Sequence, residues 1–206
     1  MKRNFFTAIC MSFIFTGLLV ACLTVSPAPT PSPIPIPPKW IMDWLENPVC
    51  SPPCWQGIQP GLTSVEIAKD FQKEYPDMSF DSKRGTSVVQ IVKLHLSLYD
   101  TLPLSMLISK YGDPSHVRIF KCDPNGRCET HVIFGDKGMV FNLYLKDEGR
   151  SDTRIVTISA SSNILKIYFI DFGLHAYFDI PGFSGDPNSD LIPWEGLKQY
   201  SQYNPQ

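Results

Sequence analysis

The feature that most restricts how this chain folds is a run of prolines near its start. Residues 23–38 read LTVSPAPTPSPIPIPP and contain seven prolines and no charged side chain. Because proline lacks a backbone N–H and fixes φ, this run favours extended polyproline II over helix or sheet. At ~3.1 Å per residue it would span up to ~50 Å. The sequence therefore predicts a stalk, with a proline-rich ligand for a groove-binding domain as the alternative.

The segment before the stalk has the pattern of an export signal. Lys2 and Arg3 precede an apolar run of 16 residues, 5–20, which is shorter than the ~20 residues that a membrane-crossing helix needs. The run ends in Leu19-Val20-Ala21-Cys22, which resembles the lipobox of bacterial lipoproteins. That resemblance implies a signal peptide over 1–21, cleaved before a lipidated Cys22 that carries several acyl chains, palmitate among them, and anchors the protein to a membrane. A plain signal peptide or an uncleaved anchor is the alternative.

These boundaries predict an extracytoplasmic protein of the bacterial cell envelope. Residues 22–38 would be the lipidated cysteine and stalk, and 39–206 a single folded domain with halves 39–99 and 100–206. Loss of Lys2 and Arg3 from the 18 basic residues leaves 16 against 20 acidic ones, a net charge of −4. Since the sequence has no basic cluster, it predicts no nucleic-acid partner.

The domain contains four cysteines, and their spacing favours two local disulfide bonds. In an exported protein an even number of cysteines indicates disulfides, and four cysteines allow three connectivities. We expect Cys50–Cys54 and Cys122–Cys128, since each pair spans one short turn. The turn 123–127, DPNGR, joins two strand-like segments and so predicts a hairpin that brings the second pair together. A four-thiolate zinc site is the alternative, but C-x3-C and C-x5-C depart from the usual C-x2-C spacing.

Two amphipathic helices are predicted, each with a cap and a stop signal. Thr63 is placed to cap the first, Glu66 would complete a capping box, and Pro76 ends the helix. The second is predicted over about 102–111, with Thr101 as its cap. Strands are predicted at 87–99, 116–121, 129–134, 139–145, 154–159, 164–170 and 174–179. This order predicts an α+β fold in which helices pack on one face of an antiparallel sheet, with two related α-then-β halves.

Short motifs in this domain resemble those of known envelope lipoproteins. The segment 53–61 reads Pro-Cys-Trp-x-Gly-Ile-x-Pro-Gly, and the chain resembles uncharacterised bacterial lipoproteins that carry this motif after a proline-rich stalk. Gly61-x-Thr63 before a helix, and a helix that ends in Tyr111-Gly112-Asp113-Pro114, are more distantly similar to outer-membrane assembly lipoproteins of the SmpA/OmlA type and to β-lactamase-inhibitor-protein-like repeats. The second resemblance implies helices on a small antiparallel sheet and a role in binding another protein. Neither resemblance supplies catalytic residues.

The sequence shows no catalytic pattern and no metal-ligand pattern. The four histidines, His95, His116, His131 and His175, have no second histidine at ligand spacing, so each is expected to be a half-buried or surface residue. The strained Gly-x-Ser-x-Gly turn of hydrolases does not occur. We therefore expect no cofactor, no metal and no enzymatic activity. A hydrolase with scattered Asp, His and Ser residues is the alternative, and its sign would be a deep pocket where such groups converge.

Aromatic side chains are the remaining candidates for a functional surface. Trp40 and Trp44 fall in a short helix predicted at 40–46, Trp55 follows Cys54, and Trp194 lies in the tail. Exposed tryptophans anchor protein interfaces, but packing inside the domain is the more common role of so large a side chain. With the anchor and the stalk, these residues predict a lipid-anchored binding protein that engages another protein. A purely structural surface protein is the third reading.

Overall fold

Three short helices and nine strands make up the part of the chain described here. The computed structural model describes residues 37, 39–82, 85–97, 100–149, 153–171, 177 and 190–203. All of them belong to the unit Pro35–Gln206, and the other unit, Met1–Ile34, lies outside the described residues. The helices are α1 (Lys39–Glu46), α2 (Val65–Glu74) and α3 (Leu104–Tyr111), and a 3-10 turn covers Gly135–Lys137; the strands are β1 (Met78–Ser82), β2 (Val89–His95), β3 (His116–Cys122), β4 (Arg127–Phe134), β5 (Met139–Lys146), β6 (Thr153–Thr157), β7 (Ile164–Ile170), β8 (Ile192–Pro193) and β9 (Gln199–Tyr203).

Both predicted helices are present, but their N-terminal caps differ from the predicted ones. Ser64, not Thr63, caps α2, and its Oγ accepts from the backbone N–H of Ile67 at 3.4 Å. Thr63 Oγ1 instead accepts from the backbone N–H of Gln59 at 2.8 Å and stabilises the preceding turn. α3 begins after Pro103, which has no side-chain cap, while the predicted cap Thr101 keeps its Oγ1 buried without a partner among the described residues. Two adjacent hydroxyl residues thus compete for one cap, and local turn geometry selects between them.

Seven strands form one antiparallel sheet in the order β1-β2-β7-β5-β4-β3-β8. β7 enters between β2 and β5, so it joins the first strand pair of the chain to the later strands. The hairpin β3–β4 brings Cys122 opposite Cys128. The mixed α+β class and the antiparallel sheet therefore agree with the sequence-based prediction.

The tail of the chain covers one edge of this sheet. β8 pairs with the first residues of β3, where Val117 lies opposite Ile192. Farther along β3, side chains replace a neighbouring strand: Ile119 N–H donates to Gln202 Oε1 at 2.9 Å, and Arg154 Nη1 donates to the carbonyl of Phe120 at 2.8 Å. Those side chains come from the separate two-stranded sheet β6–β9.

Alternate residues of the central strands enter two different apolar clusters. On β5, Met139, Phe141 and Leu143 belong to the larger cluster, whereas Val140 belongs to the smaller one. The helices contribute buried side chains to the larger cluster, namely Ile41, Trp44, Leu45, Ala68, Leu104 and Leu107. Full burial of one such leucine stabilises a fold by ~1.5–3 kcal/mol, so short helices are held by packing rather than by intrinsic helix propensity.

Two disulfide bonds join the predicted cysteine pairs. Cys50 and Cys54 have an S–S distance of 1.93 Å, and Cys122 and Cys128 have one of 1.88 Å. The first closes the turn between α1 and the segment that carries Trp55. The second closes the end of the β3–β4 hairpin, whose turn is ordered by Asp123 Oδ1 accepting two backbone N–H groups at 2.9 Å.

The described helices are too short to span a bilayer. In the part of the chain that the structure describes, none combines the length and the hydropathy of a membrane-crossing segment. The predicted signal peptide, Cys22 and almost all of the stalk lie outside the described residues, as does the predicted strand 174–179 apart from Tyr177.

Candidate functional site

The clearest cavity with buried walls lies where α1, the end of α2 and the strands β1 and β2 meet. We call it the aromatic pocket, and it encloses about 240 Å³. Its floor consists of the buried side chains of Trp55, Met78 and Leu94. Half-buried Trp40 and Tyr75 add two aromatic walls, and the exposed residues Glu74, Pro76, Asp77 and His95 surround the mouth.

Helix α2 and its stop signal position one side of the pocket. Pro76 follows α2 directly, and the chain turns there because the backbone N–H of Met78 donates to the carbonyl of Tyr75 at 2.9 Å. This turn places the last residues of α2 and the first residue of β1 at the same cavity. The stop signal seen in the sequence thus becomes part of the pocket mouth.

The disulfide-closed turn positions the floor. Trp55 and Ile58 exchange backbone hydrogen bonds of 2.9 and 2.8 Å, and both side chains are buried. The Trp55 ring meets Tyr75 edge to face, with a centroid distance of 5.0 Å and an interplanar angle of 79°. Such a contact adds ~0.5–1.5 kcal/mol to area burial, so the aromatic wall is rigid.

Two carboxylates at the pocket mouth have no ion pair among the described residues. Glu74 and Asp77 are both exposed and line the cavity. The lysines nearby are each paired with another aspartate: Lys39 with Asp43 at 2.6 Å, Lys73 with Asp70 at 2.8 Å, and Lys93 with Asp81 at 2.5 Å. Glu74 and Asp77 thus lack an ion pair within the described part of the chain, although the charges of Lys166 and Lys93 act on His95 at the same mouth.

His95 adds a titratable group to the same mouth. Burial, followed by the charges of Lys166 and Lys93, lowers the pKa of His95 below its ordinary value, although Asp77 opposes the shift. Its Nε2 lies 3.3 Å from Ser79 Oγ. With its pKa lowered, the imidazole adds little positive charge at neutral pH, so the carboxylates and these two lysines set the charge of the mouth.

The four tryptophans proposed from the sequence lie in two kinds of environment. Trp44 and Trp55 are 2% and 1% exposed, so they pack inside the domain and cannot serve as flat interface anchors. Trp40 and Trp194 are half-buried. Trp194 stacks on Tyr200 with a centroid distance of 5.8 Å, away from the pocket. Only Trp40 and Trp55 are brought together at a cavity.

A second, more open groove of about 470 Å³ separates α1 from α3. Met42, Leu45 and Met106 supply apolar surface, while Glu46 and Lys110 supply opposite charges. Because its charges balance, this groove shows no preference for a charged partner.

A row of polar side chains crosses the face of the large sheet that carries the smaller apolar cluster. Strand register places Arg118, His131, Asn142, Lys166 and His95 side by side on β3, β4, β5, β7 and β2. We call this the polar row. The first three of these residues are almost fully buried, with exposures of 4%, 0% and 0%.

Hydrogen bonds bind the buried end of the polar row together. His131 Nδ1 lies 2.6 Å from Tyr177 Oη, and its Nε2 lies 3.2 Å from Glu129 Oε1. Asn142 Nδ2 donates to the same carboxylate oxygen at 2.5 Å, and Arg118 pairs with Asp190 at 2.8 Å. These hydrogen bonds favour a single strand register, although Asn142 Oδ1 is buried without a hydrogen-bond partner among the described residues.

The charge states of the central pair follow from their surroundings. Complete burial lowers the pKa of His131; the hydrogen bond and charge of Glu129 oppose this shift, while the charges of Arg118 and Lys166 add to it, and the net direction is down, which favours the neutral imidazole at pH 7. Burial raises the pKa of Glu129, but the hydrogen bonds from His131 and Asn142 outweigh burial and hold it below its ordinary value. A neutral imidazole donates from one ring nitrogen and accepts at the other, so His131 links Tyr177 and Glu129 through its two nitrogens.

No metal centre emerges from the described residues. Cys122, Cys128 and Asp147 lie close enough to share an ion, but the two sulfurs are bonded to each other. Asp147 Oδ1 instead accepts the backbone N–H groups of Gly149 and Ile155 at 2.8 and 2.9 Å. This carboxylate orders the chain before β6.

Sequence reasoning missed both the polar row and the pocket mouth. His131 was expected to be a surface or half-buried residue, yet it is completely buried. The alternation of β4 shows that Glu129 and His131 share a face, but their partner Asn142 is set by the pairing of β4 with β5. Glu74 and Asp77 flank Tyr75-Pro76, so the helix stop was the signal that could have placed them together.

Comparison with known proteins adds no assignment to this geometry. The resemblances drawn from short motifs therefore remain predictions. No protein-family model matches the chain, and no curated protein or solved structure matches it.

Proposed function

We propose that this chain is a lipid-anchored, extracytoplasmic binding protein without catalytic activity, and that the aromatic pocket is its binding site. The observation that carries the proposal is a preformed cavity with an aromatic, apolar interior and two exposed carboxylates, Glu74 and Asp77, at its mouth. Buried aromatic pockets of this kind receive the anchor residues of protein interfaces.

The size of the cavity favours a protein partner over a small molecule. Small-molecule sites usually enclose ~300–1,000 Å³, whereas the aromatic pocket encloses about 240 Å³. That volume suits one large side chain. The remaining contact area would come from the exposed surface around the mouth, as in ordinary protein–protein interfaces.

The anchor and the stalk support a location in the bacterial cell envelope. Cys22 at the end of the lipobox-like sequence would carry lipid, and the prolines of 23–38 would separate the domain from the membrane. The two disulfides agree with an oxidising compartment outside the cytoplasm.

The proposal also covers the finer arrangement of the helices and strands. We infer that the three helices cover one sheet face, because their buried side chains all enter the larger apolar cluster. We also infer two related halves, α2-β1-β2 and α3-β3-β4-β5, each a helix followed by antiparallel strands. The aromatic pocket lies in the first half, beside the short helix α1.

The polar row is the observation that favours the alternative of a hydrolase. Glu129, His131 and Tyr177 converge as the members of a catalytic group do, but they bond to one another and line neither of the two cavities described above. A general base must reach a proton of its substrate. The arrangement thus fits a buried polar core better than an active site.

Photo-cross-linking in cells that export the chain tests the proposal. With p-benzoylphenylalanine in place of Tyr75, we expect a covalent adduct with a protein partner, because Tyr75 forms a wall of the pocket. The same amino acid in place of Tyr144, which is 41% exposed and lines neither cavity, is the matched control. Absence of an adduct at Tyr75, or equal labelling at both positions, would contradict the proposal and favour a structural role.

A further inference from the structure

We infer that the partner presents one large apolar side chain flanked by basic residues. This inference rests on the proposed function and specifies the chemistry of its partner. The inference rests on the arrangement of the aromatic pocket. Its interior is apolar, and the carboxylates of Glu74 and Asp77 lie at its mouth.

The interior selects the apolar part of the partner segment. Trp55, Met78 and Leu94 are at most 2% exposed and close the floor with carbon surface. A charged head pushed to this depth would lose water without meeting a counter-charge, and such burial is costly. A lysine or arginine is therefore excluded as the residue that enters the pocket. A phenylalanine, leucine or similar side chain fills it and gains the free energy of its buried area.

The mouth selects the residues on either side of that anchor. Glu74 is the last residue of α2, and Asp77 directly precedes β1. Neither has an ion pair among the described residues. Lys39, Lys73 and Lys93 are already paired with Asp43, Asp70 and Asp81. A neutral segment would leave both mouth carboxylates unpaired, and an acidic segment would meet like charge. Basic residues next to the anchor complete the electrostatic match.

The geometry also favours a protein segment over a nucleic acid or a small organic cation. A nucleic acid is anionic and would be repelled by the same carboxylates. A small organic cation has no reason to place its charge at the mouth and its carbon at the floor unless it is itself amphipathic. A peptide supplies both parts at a fixed spacing of one residue.

A set of synthetic peptides tests the inference with the full chain in detergent micelles. The fluorescein-labelled nine-residue peptides share a central phenylalanine flanked on both sides by lysine, glutamine or glutamate, and a fourth peptide has alanine between lysines. Fluorescence anisotropy gives each Kd at low and high salt. We expect the order lysine, glutamine, glutamate from tightest to weakest, and a loss of at least about tenfold for the alanine peptide.

Variants of the mouth separate a specific match from general attraction to an anionic protein. In Glu74→Gln/Asp77→Asn we expect the preference for lysine over glutamine flanks to fall about three- to tenfold, with binding of the glutamine peptide unchanged. Glu66→Gln/Asp113→Asn removes the same charge from exposed sites that line neither cavity and have no ion pair among the described residues, and should keep the preference. Trp40→Ala should weaken every phenylalanine peptide, whereas Trp194→Ala should weaken none.

The outcomes of these binding experiments separate this inference from the proposed function on which it rests. If all phenylalanine peptides bind equally and depend on Trp40, the pocket is a binding site but the inference about basic flanks is wrong. If neutralising Glu74 and Asp77 leaves the lysine preference unchanged, the inference is equally wrong. If no peptide binds, the inference fails, and cross-linking at Tyr75 still decides the proposed function independently.

Discussion

Single residues in this protein acquire their roles from neighbours that the strand register supplies. His131 illustrates this, because it is an ordinary strand histidine in the sequence and a completely buried acceptor and donor in the structure. Its neutral ring is enclosed by Glu129, Arg118, Lys166 and Tyr177. Buried polar groups of this kind restrict the fold to one arrangement when every partner is present.

The burial of His131 predicts that the stability of the protein falls in weak acid. Its pKa is lowered in the folded state, so the unfolded chain binds a proton more readily. The stabilisation is complete above the unfolded pKa of ~6.5 and is lost as pH falls through the lower folded value. The slope contributed by one such group reaches at most about 1.4 kcal/mol per pH unit.

Urea unfolding between pH 7.5 and 5 measures this slope. His131→Gln should show a shallower loss of unfolding free energy with falling pH than the unaltered chain. His116→Gln is the comparison: burial also lowers the pKa of His116, but this residue is only half-buried, so its substitution should reduce the slope less. Identical slopes for His131→Gln and the unaltered chain would contradict the prediction. They would show that His131 binds a proton as readily in the folded state as in the unfolded state.

Gly138 predicts a second effect that belongs to one residue. Its φ of +60° lies in the left-handed region, and an added Cβ would lie 2.5 Å from the carbonyl oxygen of Ile170 and 2.8 Å from Pro53 Cβ. Gly138→Ala should therefore lower the unfolding free energy by about 2–4 kcal/mol. Gly126→Ala, with φ +72° and no atom within 4 Å of the added Cβ, should cost only about 1 kcal/mol. Equal losses in urea unfolding would refute the role of the close approach.

At the scale of elements, the Cys50–Cys54 disulfide holds the turn that carries the pocket floor. Removing it as Cys50→Ser/Cys54→Ser should cost about 2 kcal/mol by the chain-entropy relation. Hydrogen exchange should then rise in residues 50–58 before it rises in β4 and β5, because the disulfide closes only this turn. Helix α1 should keep its protection, since its own buried contacts remain. Cys122→Ser/Cys128→Ser should instead raise exchange around the β3–β4 turn. An equal rise throughout the large sheet in both variants would contradict this local role.

The elements that the sequence predicts well are those with strong local signals. The helix that contains Trp40 and Trp44, the helix before Pro76 and the β3–β4 hairpin all have caps, stops or turn residues within a few positions, and each is present. β1, β8 and β9 were not predicted: the alternation in MSFDS covers only four residues, β8 has only two residues, and the tail segment QYSQY is mostly polar. They are strands because partners distant in sequence offer backbone groups.

The candidate site was predictable only in part for the same reason. Trp40 and Trp55 were recognised as candidates from their residue type, but nothing local shows that β2 brings Leu94 and His95 beside them. The separation into buried and half-buried tryptophans also depends on packing between elements. Register and helix docking are long-range facts, which one sequence does not encode in any short window.

At the scale of the whole molecule, the anchor is the feature that biochemistry can test directly. Cys22 lies outside the described residues, and its lipidation is a prediction from the lipobox-like sequence. We expect the exported chain to partition into the detergent phase of a Triton X-114 separation and to incorporate labelled palmitate. Cys22→Ser should lose the label, while Cys10→Ser, within the predicted signal peptide, should keep it. Labelling that persists in Cys22→Ser would contradict the lipoprotein assignment.

The covered edge of β3 has a consequence for a protein held on a surface. Gln202 and Arg154 occupy backbone groups of Ile119 and Phe120 that would otherwise pair with an incoming strand. Open strand edges recruit further copies of the same chain, and tethering many copies to one plane raises their local concentration. If the chain is anchored as proposed, side chains that end the ladder at this edge would keep crowded neighbouring copies from pairing through β3.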